Sequence, residues 1–206
     1  MTFQRSDGSL GSDYYARTAE LSPEQRRTIR EFEWAQADIP RRLWPMLHDG
    51  APGEDVGPLA ARPTPALDAA SRFLSPTNDK AILVLSGNVG TGKTVAAAWA
   101  CAWNGGRFVK AIDIVRAGVY SDHTWLRQVW RSNVLVVDDV GTEPLDANGW
   151  SLSAIGSLFD ERYDGSRKTV VTTNLQAQEF KIRYGPRVWR RVLEVGRWFD
   201  LGEAVK

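Results

Sequence analysis

Residues 81–103 run from an unbroken apolar stretch through a glycine-rich octapeptide into an alanine-rich segment, and this triplet restricts the fold more than any other feature. Residues 81–87 (AILVLSG) show no polar–apolar alternation, as expected of a parallel strand covered on both faces. The octapeptide Gly87-Asn88-Val89-Gly90-Thr91-Gly92-Lys93-Thr94 fits G-x-x-x-x-G-K-[ST]. Residues 94–103 have helical composition. In a strand–loop–helix unit of this kind, glycines let backbone N–H groups wrap a phosphate, and the helix N-terminus adds positive potential. Lys93 is the candidate contact for the β- and γ-phosphates, and the Thr94 hydroxyl is a candidate ligand for Mg²⁺. The expected ligand is a nucleoside triphosphate, ATP first.

A second apolar run, residues 134–140 (VLVVDDV), ends in two acids, which is the Walker B arrangement. Asp138 is the expected Mg²⁺ ligand, directly or through water, and Asp139 the group that orients or deprotonates the attacking water. Where many such enzymes carry glutamate, Asp139 is one methylene shorter, so an added water or slow turnover is expected. Further strands are expected at 107–114, 168–174 and about 197–201, with helices at 152–163 and about 178–194 and another through Trp125, Leu126 and Val129. Thr172-Thr173-Asn174 closes the fourth of these strands, and Asn174 is the candidate polar group facing the γ-phosphate (sensor 1). Alternating strands and helices imply a three-layer α/β domain with a mostly parallel sheet.

The remaining composition narrows the function. A net charge of +1 offers no whole-molecule field for nucleic acid or membrane, so any basic surface must be local. The single cysteine, Cys101, excludes an intrachain disulfide and a cysteine-based zinc cluster, and its apolar setting predicts a buried structural thiol. His48 and His123 have no partner ligands at metal-site spacing. No apolar run reaches the ~18 residues that a membrane-spanning helix needs, and the start lacks a signal-type apolar region, so no membrane partner and a cytoplasmic location are expected. The polar first 20 residues read as a disordered tail, and residues 21–64 as an N-terminal helix and a Gly/Pro-rich linker (from His48). Residues 65–206 read as the nucleotide-binding domain. Ser22-Pro23-Glu24 opens the N-terminal helix, with Ile29, Phe32 and Trp34 as its apolar side. That helix is expected either to dock on a partner or to pack on the core. A short helix over 65–74 should present Leu67, Ala70, Phe73 and Leu74. Of the nine tryptophans, Trp125, Trp130 and Trp189 lie near charges and are the candidates to face a partner.

Taken in order and spacing, six stretches resemble the DnaC/IstB branch of the AAA+ ATPases, the helicase loaders and transposition helpers. They are Ile39-Pro40-Arg41-Arg42, the glycine loop, VLVVDDVGTE (134–143), Glu161-Arg162-Tyr163, Thr172-Thr173-Asn174-Leu175, and Tyr184-Gly185-Pro186-Arg187-Val188-Trp189-Arg190-Arg191. The resemblance spans roughly Ile39 to Arg191. It implies an AAA+-type P-loop NTPase with a five-stranded sheet and a short N-terminal helical extension. The sequence ends at Lys206, just after the last strand, so neither a C-terminal helical lid nor a sensor 2 arginine is expected. The resemblance also implies an arginine finger offered to a neighbouring subunit's nucleotide, Arg191 by position and Arg187 as the alternative, and hence self-association through the ATP site. It further implies a replicative helicase and single-stranded DNA as partners. Lys110, Arg116, Arg127 and Arg131, interleaved with Trp125 and Trp130, are the candidate DNA contacts, with core tryptophans and solvated arginines as the competing reading. Three functions follow as expectations: an ATP-dependent helicase loader, an IstB-like transposition helper acting on duplex DNA, and a nucleotide-dependent interaction module with little turnover.

Overall fold

The computed structural model describes residues 20–47 and 64–202. The disordered-tail expectation, the linker from His48 and His48 itself lie almost wholly outside these residues. Five strands form one sheet: β1 (Ile82–Ser86), β2 (Arg107–Lys110), β3 (Val134–Val140), β4 (Lys168–Thr173) and β5 (Gly196–Asp200). All neighbours pair in parallel, in the order β2-β3-β4-β1-β5. β1, whose five residues are all buried, carries no alternation because helices cover both faces.

On one face lie α1 (Pro23–Gln36), α2 (Trp44–Leu47), α3 (Pro65–Leu74) and α4 (Lys93–Asn104), sharing a core of Trp34, Ile39, Leu47, Phe73, Leu83, Leu85 and the alanines of α4. Cys101 is buried in that core, and burial pushes its thiol pKa up. On the other face lie α5 (Ala111–Val119), α6 (His123–Trp130), α7 (Trp150–Asp164) and α8 (Ala177–Val195), packed around Val84, Leu135, Val137, Ile155, Phe159 and Phe180. The result is the expected three-layer α/β domain with a five-stranded parallel sheet.

Local chemistry sets the helix starts. Ser22 and Gln25 form a reciprocal capping box, and Thr64 accepts from the Leu67 N–H at 3.1 Å. The end of α1 belongs to the core: the Phe108 N–H donates to the Ala37 carbonyl at 2.8 Å, and Arg107 pairs with Asp38 at 2.9 Å. α1 therefore packs through its last turn, with Trp34 edge-on to Trp44. Phe32, expected on the buried side, is 65% exposed. Among the described apolar side chains of α1, Trp34 takes the core position.

The strand expected at 107–114 ends at Lys110, and residues 111–119 are helical. The apolar pattern of Ala111-Ile112-Asp113-Ile114-Val115 suits either period over so short a run. Helix places Ala111, Ile114 and Val115 together on the core at i, i+3 and i+4. The helix expected over about 178–194 is interrupted at Gly185, where φ is +80° before Pro186.

Candidate nucleotide-binding site

Because β4 is inserted between β1 and β3, the glycine loop and the acidic strand end are not sheet neighbours. Register aligns Leu85 with Thr172 and Ser86 with Thr173, so the end of β4 bridges the two motifs. The site opens at the carboxyl ends of the strands, where open parallel sheets hold ligands. Gly87 is buried at φ +143°, and a Cβ there would come within 3.1 Å of the Gly202 carbonyl and Leu201. The same segment holds the loop by two backbone bonds, Leu201 N–H to Ser86 O at 2.8 Å and Asn88 N–H to Gly202 O at 3.0 Å. Gly92, at φ +83°, turns the chain into α4.

Lys93 is buried at the start of α4. Its Nζ donates to the carbonyls of Gly87 at 2.6 Å and Asn88 at 2.7 Å and lies 3.3 Å from the Thr91 hydroxyl. Burial pulls the Lys93 pKa down, against the opposing pull of Asp139 and Asp138. Asn88, Val89 and Gly90 form the exposed rim of the loop, while Thr91 and Thr94 are half-buried.

Asp138 is wholly buried. Its Oδ1 accepts from the Thr172 hydroxyl at 2.7 Å and the Thr94 hydroxyl at 3.0 Å. Its Oδ2 is buried without a hydrogen-bond partner. Burial raises the Asp138 pKa, partly offset by the Thr172 hydroxyl, reinforced by Asp139, and offset again by the Thr94 hydroxyl and Arg42. A buried carboxylate with an idle oxygen beside a threonine hydroxyl fits a hard divalent cation, whose ligands are oxygens.

Asp139 sits at φ +59°, a left-handed conformation that costs a non-glycine residue about 1–3 kcal/mol and clusters at functional sites. Its N–H donates to the Thr172 Oγ1 at 2.9 Å, and its carbonyl accepts from the Thr142 hydroxyl at 2.7 Å. The β3–β4 register shifts at this point, between Val137 and Val140. Thr172 thus holds both acids. Its place among three polar residues at a strand end was visible in sequence, but not that it, two residues before Asn174, is the one against Asp138. Asn174 itself lies just past β4 and is exposed.

The candidate arginines lie beyond the Gly185 kink, and their partners belong to α7. Arg187, with a side chain 76% exposed, pairs with Asp160 at 2.9 Å. Arg191, 13% exposed, lies against the same aspartate and over the Tyr163 ring. Sequence reasoning did not anticipate Asp160. It also left Arg162 unassigned: this guanidinium is fully buried and donates to Thr169 Oγ1 at 2.7 Å and to the carbonyls of Trp130, Ser132 and Lys168 at 2.8, 2.6 and 2.5 Å.

Trp125, Trp130 and Trp189 are partly buried against the second core, whereas Arg116, Arg127 and Arg131 are exposed and Lys110 half-buried. His123 is the exposed first residue of α6. Among the described residues no helix is long and apolar enough to cross a membrane.

A family model described as IstB-like ATP binding protein matches residues 67–190, which include the glycine loop, both acids, Asn174 and Arg187 and stop one residue short of Arg191. The chain belongs to the IstB-like ATP-binding proteins. Solved structures similar to this IstB-like chain include the DnaC helicase loader, at 24% identity and a TM-score of 0.60 over 78% of this chain and 99% of that one. DnaI is similar at 19% identity, with a TM-score of 0.58 over 79% and 94% of the two chains. AMPPCP-bound DnaA from Aquifex aeolicus follows at 19% identity and a TM-score of 0.53, over 65% and 44%. These likenesses place the chain in the DnaC/IstB-type AAA+ fold. No curated protein matches the sequence.

Proposed function

We propose that this IstB-like protein hydrolyses ATP at a site shared between two copies of the chain, and that the cycle delivers a replicative helicase to DNA. The observation that carries the ATP-site reading is the buried, partnerless Oδ2 of Asp138 beside Thr94 and Lys93. In this reading Gly87 to Thr94 hold the phosphates through backbone N–H groups and the Lys93 ammonium. Thr94 and Asp138 hold Mg²⁺, which when bound neutralises charge on the β- and γ-phosphates. Asp139 orients the attacking water and takes its proton, and the exposed Asn174 contacts the γ-phosphate from the end of β4. Arg191 or Arg187 of a second copy neutralises the charge that builds on the γ-phosphoryl group.

Support for the helicase partner is the likeness to the DnaC helicase loader over 99% of that chain. Exposed Arg116, Arg127 and Arg131 on the α5–α6 pair supply local positive charge for single-stranded DNA. The family match itself favours a second reading, an IstB-like helper acting on duplex DNA.

The test is ATP hydrolysis as a function of protein concentration, with single-stranded or duplex DNA, alongside pull-down with the host's replicative helicase. Expected are a rate per chain that rises with concentration, loss of activity in Lys93→Ala, and recovery when Lys93→Ala is mixed with an Arg187→Ala/Arg191→Ala double variant. Wild type no faster than Lys93→Ala would refute hydrolysis. No helicase complex with or without ATP would refute the loader reading, and preference for long duplex would favour the helper.

A further inference from the structure

Glu143 lies just past the acidic strand end, yet its side chain is entirely buried. One carboxylate oxygen accepts from the Gly141 N–H at 2.9 Å. The other accepts from Arg183 Nε at 3.2 Å, from Arg183 Nη2 at 3.1 Å and from the Tyr184 hydroxyl. Arg183 also reaches the Glu143 backbone carbonyl. Burying a carboxylate is costly unless it is paired and hydrogen-bonded, and here every donor except Gly141 comes from α8.

What Glu143 holds on each side is informative. Gly141 has φ +104°, and a Cβ there would fall 2.7 Å from the Leu175 side chain, so the turn is tightly seated. Two residues earlier is the left-handed Asp139, whose carbonyl is bonded by Thr142. On the other side, Arg183 and Tyr184 immediately precede the Gly185 break, after which Arg187 and Arg191 follow. A strained catalytic-loop residue persists only when its surroundings over-determine it. Thr172 pins the Asp139 N–H, and Glu143 pins the next turn of the loop to α8.

We propose that Glu143 is a positioning residue, anchoring the Asp139 turn to α8 so that the hydrolytic loop and the arginine-bearing helix move as one body. The proposal rests on the hydrolytic reading above for its effect on turnover, but not for the mechanical tie. Both Glu143 carboxylate oxygens are taken up by protein donors. It acts through the backbone between Asp139 and Gly141.

The experiment uses the full chain with Glu143→Gln, which keeps the shape and removes the charge, and Tyr184→Phe, which removes a single donor. The first readout is amide hydrogen exchange without nucleotide. In both variants peptides covering 139–145 and 177–195 are expected to lose protection together, while a peptide over 65–74 is unchanged. The second is steady-state ATPase: kcat is expected to fall about 10- to 100-fold in Glu143→Gln, and less in Tyr184→Phe, with KM and fluorescent-nucleotide affinity within about twofold of wild type. Exchange that changes on one side alone, or on neither, overturns the proposal whatever the ATPase does. Coupled exchange with an unchanged kcat in an active wild type also overturns it, since the tie would then be structural only. If Glu143→Gln does not fold, Tyr184→Phe decides by the same two readouts. A wild type that binds but does not hydrolyse ATP refutes the hydrolytic reading, and the exchange result then decides the tie alone.

Discussion

Asp138→Asn should make the nucleotide-free protein more stable while removing its response to Mg²⁺. The wild-type carboxylate is wholly buried, with two hydroxyls on Oδ1 and nothing on Oδ2. Leaving a buried polar group unpaired costs about 1–3 kcal/mol, and at this chain length each 1 kcal/mol moves the thermal midpoint by about 2–4 °C. Asparagine keeps the acceptor for Thr94 and Thr172 and abolishes the charge, but its NH2 takes the partnerless place of Oδ2, so the gain comes from the charge alone and the expected rise is a few degrees, about 2–4 °C for each 1 kcal/mol. Sign follows from the raised Asp138 pKa. Folding then favours the protonated acid, so the penalty is fully present above the folded pKa and fades as pH falls through it toward the ordinary carboxylate value. The gap between variant and wild type should therefore widen as pH rises through the folded pKa and close in acid. With saturating ATP, wild type should gain a further increment on adding Mg²⁺, about 2.7 kcal/mol at a hundredfold excess over the dissociation constant, and the variant none. Differential scanning fluorimetry across pH, with ATP alone and with ATP plus Mg²⁺, measures all of this. A midpoint below wild type without nucleotide, or an equal Mg²⁺ increment in both proteins, would refute the argument.

Lys93→Ala should weaken nucleotide binding about 10- to 100-fold, the loss of one or two charge-assisted hydrogen bonds to phosphate, as read by fluorescent-nucleotide titration with unchanged circular dichroism. Arg162→Ala strands the carbonyls of Trp130, Ser132 and Lys168 and the Thr169 hydroxyl inside the protein. It should cost more than about 3 kcal/mol, a drop of at least about 6 °C in the thermal midpoint, with Arg162→Lys intermediate; a drop under about 2 °C would contradict the assignment.

The sheet and the phosphate loop were legible because both rest on local rules. Unbroken apolar runs mark strands covered on two faces, and a glycine–lysine–threonine loop between strand and helix admits few other structures. What escaped were contacts made between elements distant in sequence. Thr172 and Asp138 are 34 residues apart, and nothing in either stretch says which of three polar residues at the end of β4 turns toward the acid. Glu143 closes the VLVVDDVGTE stretch, but nothing in that stretch tells of the partners it meets on α8, 40 residues later. The end of β2 was missed for another reason: over five residues, apolar spacing fits a strand and a helix equally, and packing against α7 decides.

In the proposed two-copy site, the identity of the finger arginine turns on what Arg187 and Arg191 would each give up. Arg187 and Arg191 share Asp160 in the isolated chain, so either must exchange that carboxylate for a neighbour's phosphate. An exposed ion pair is worth only about 0–1 kcal/mol, and the Arg187 side chain is largely in solvent, so its release costs little. Arg191 is mostly covered and lies 5.4 Å from the centre of the Tyr163 ring, so its release also forfeits packing and a cation–π contact. Position in the motif points to Arg191, whereas the energetics of the free subunit point to Arg187. The two converge if Asp160 trades partners: as Arg187 leaves for the phosphate, Arg191 keeps the carboxylate neutralised, and α7 and α8 stay clamped while the site closes.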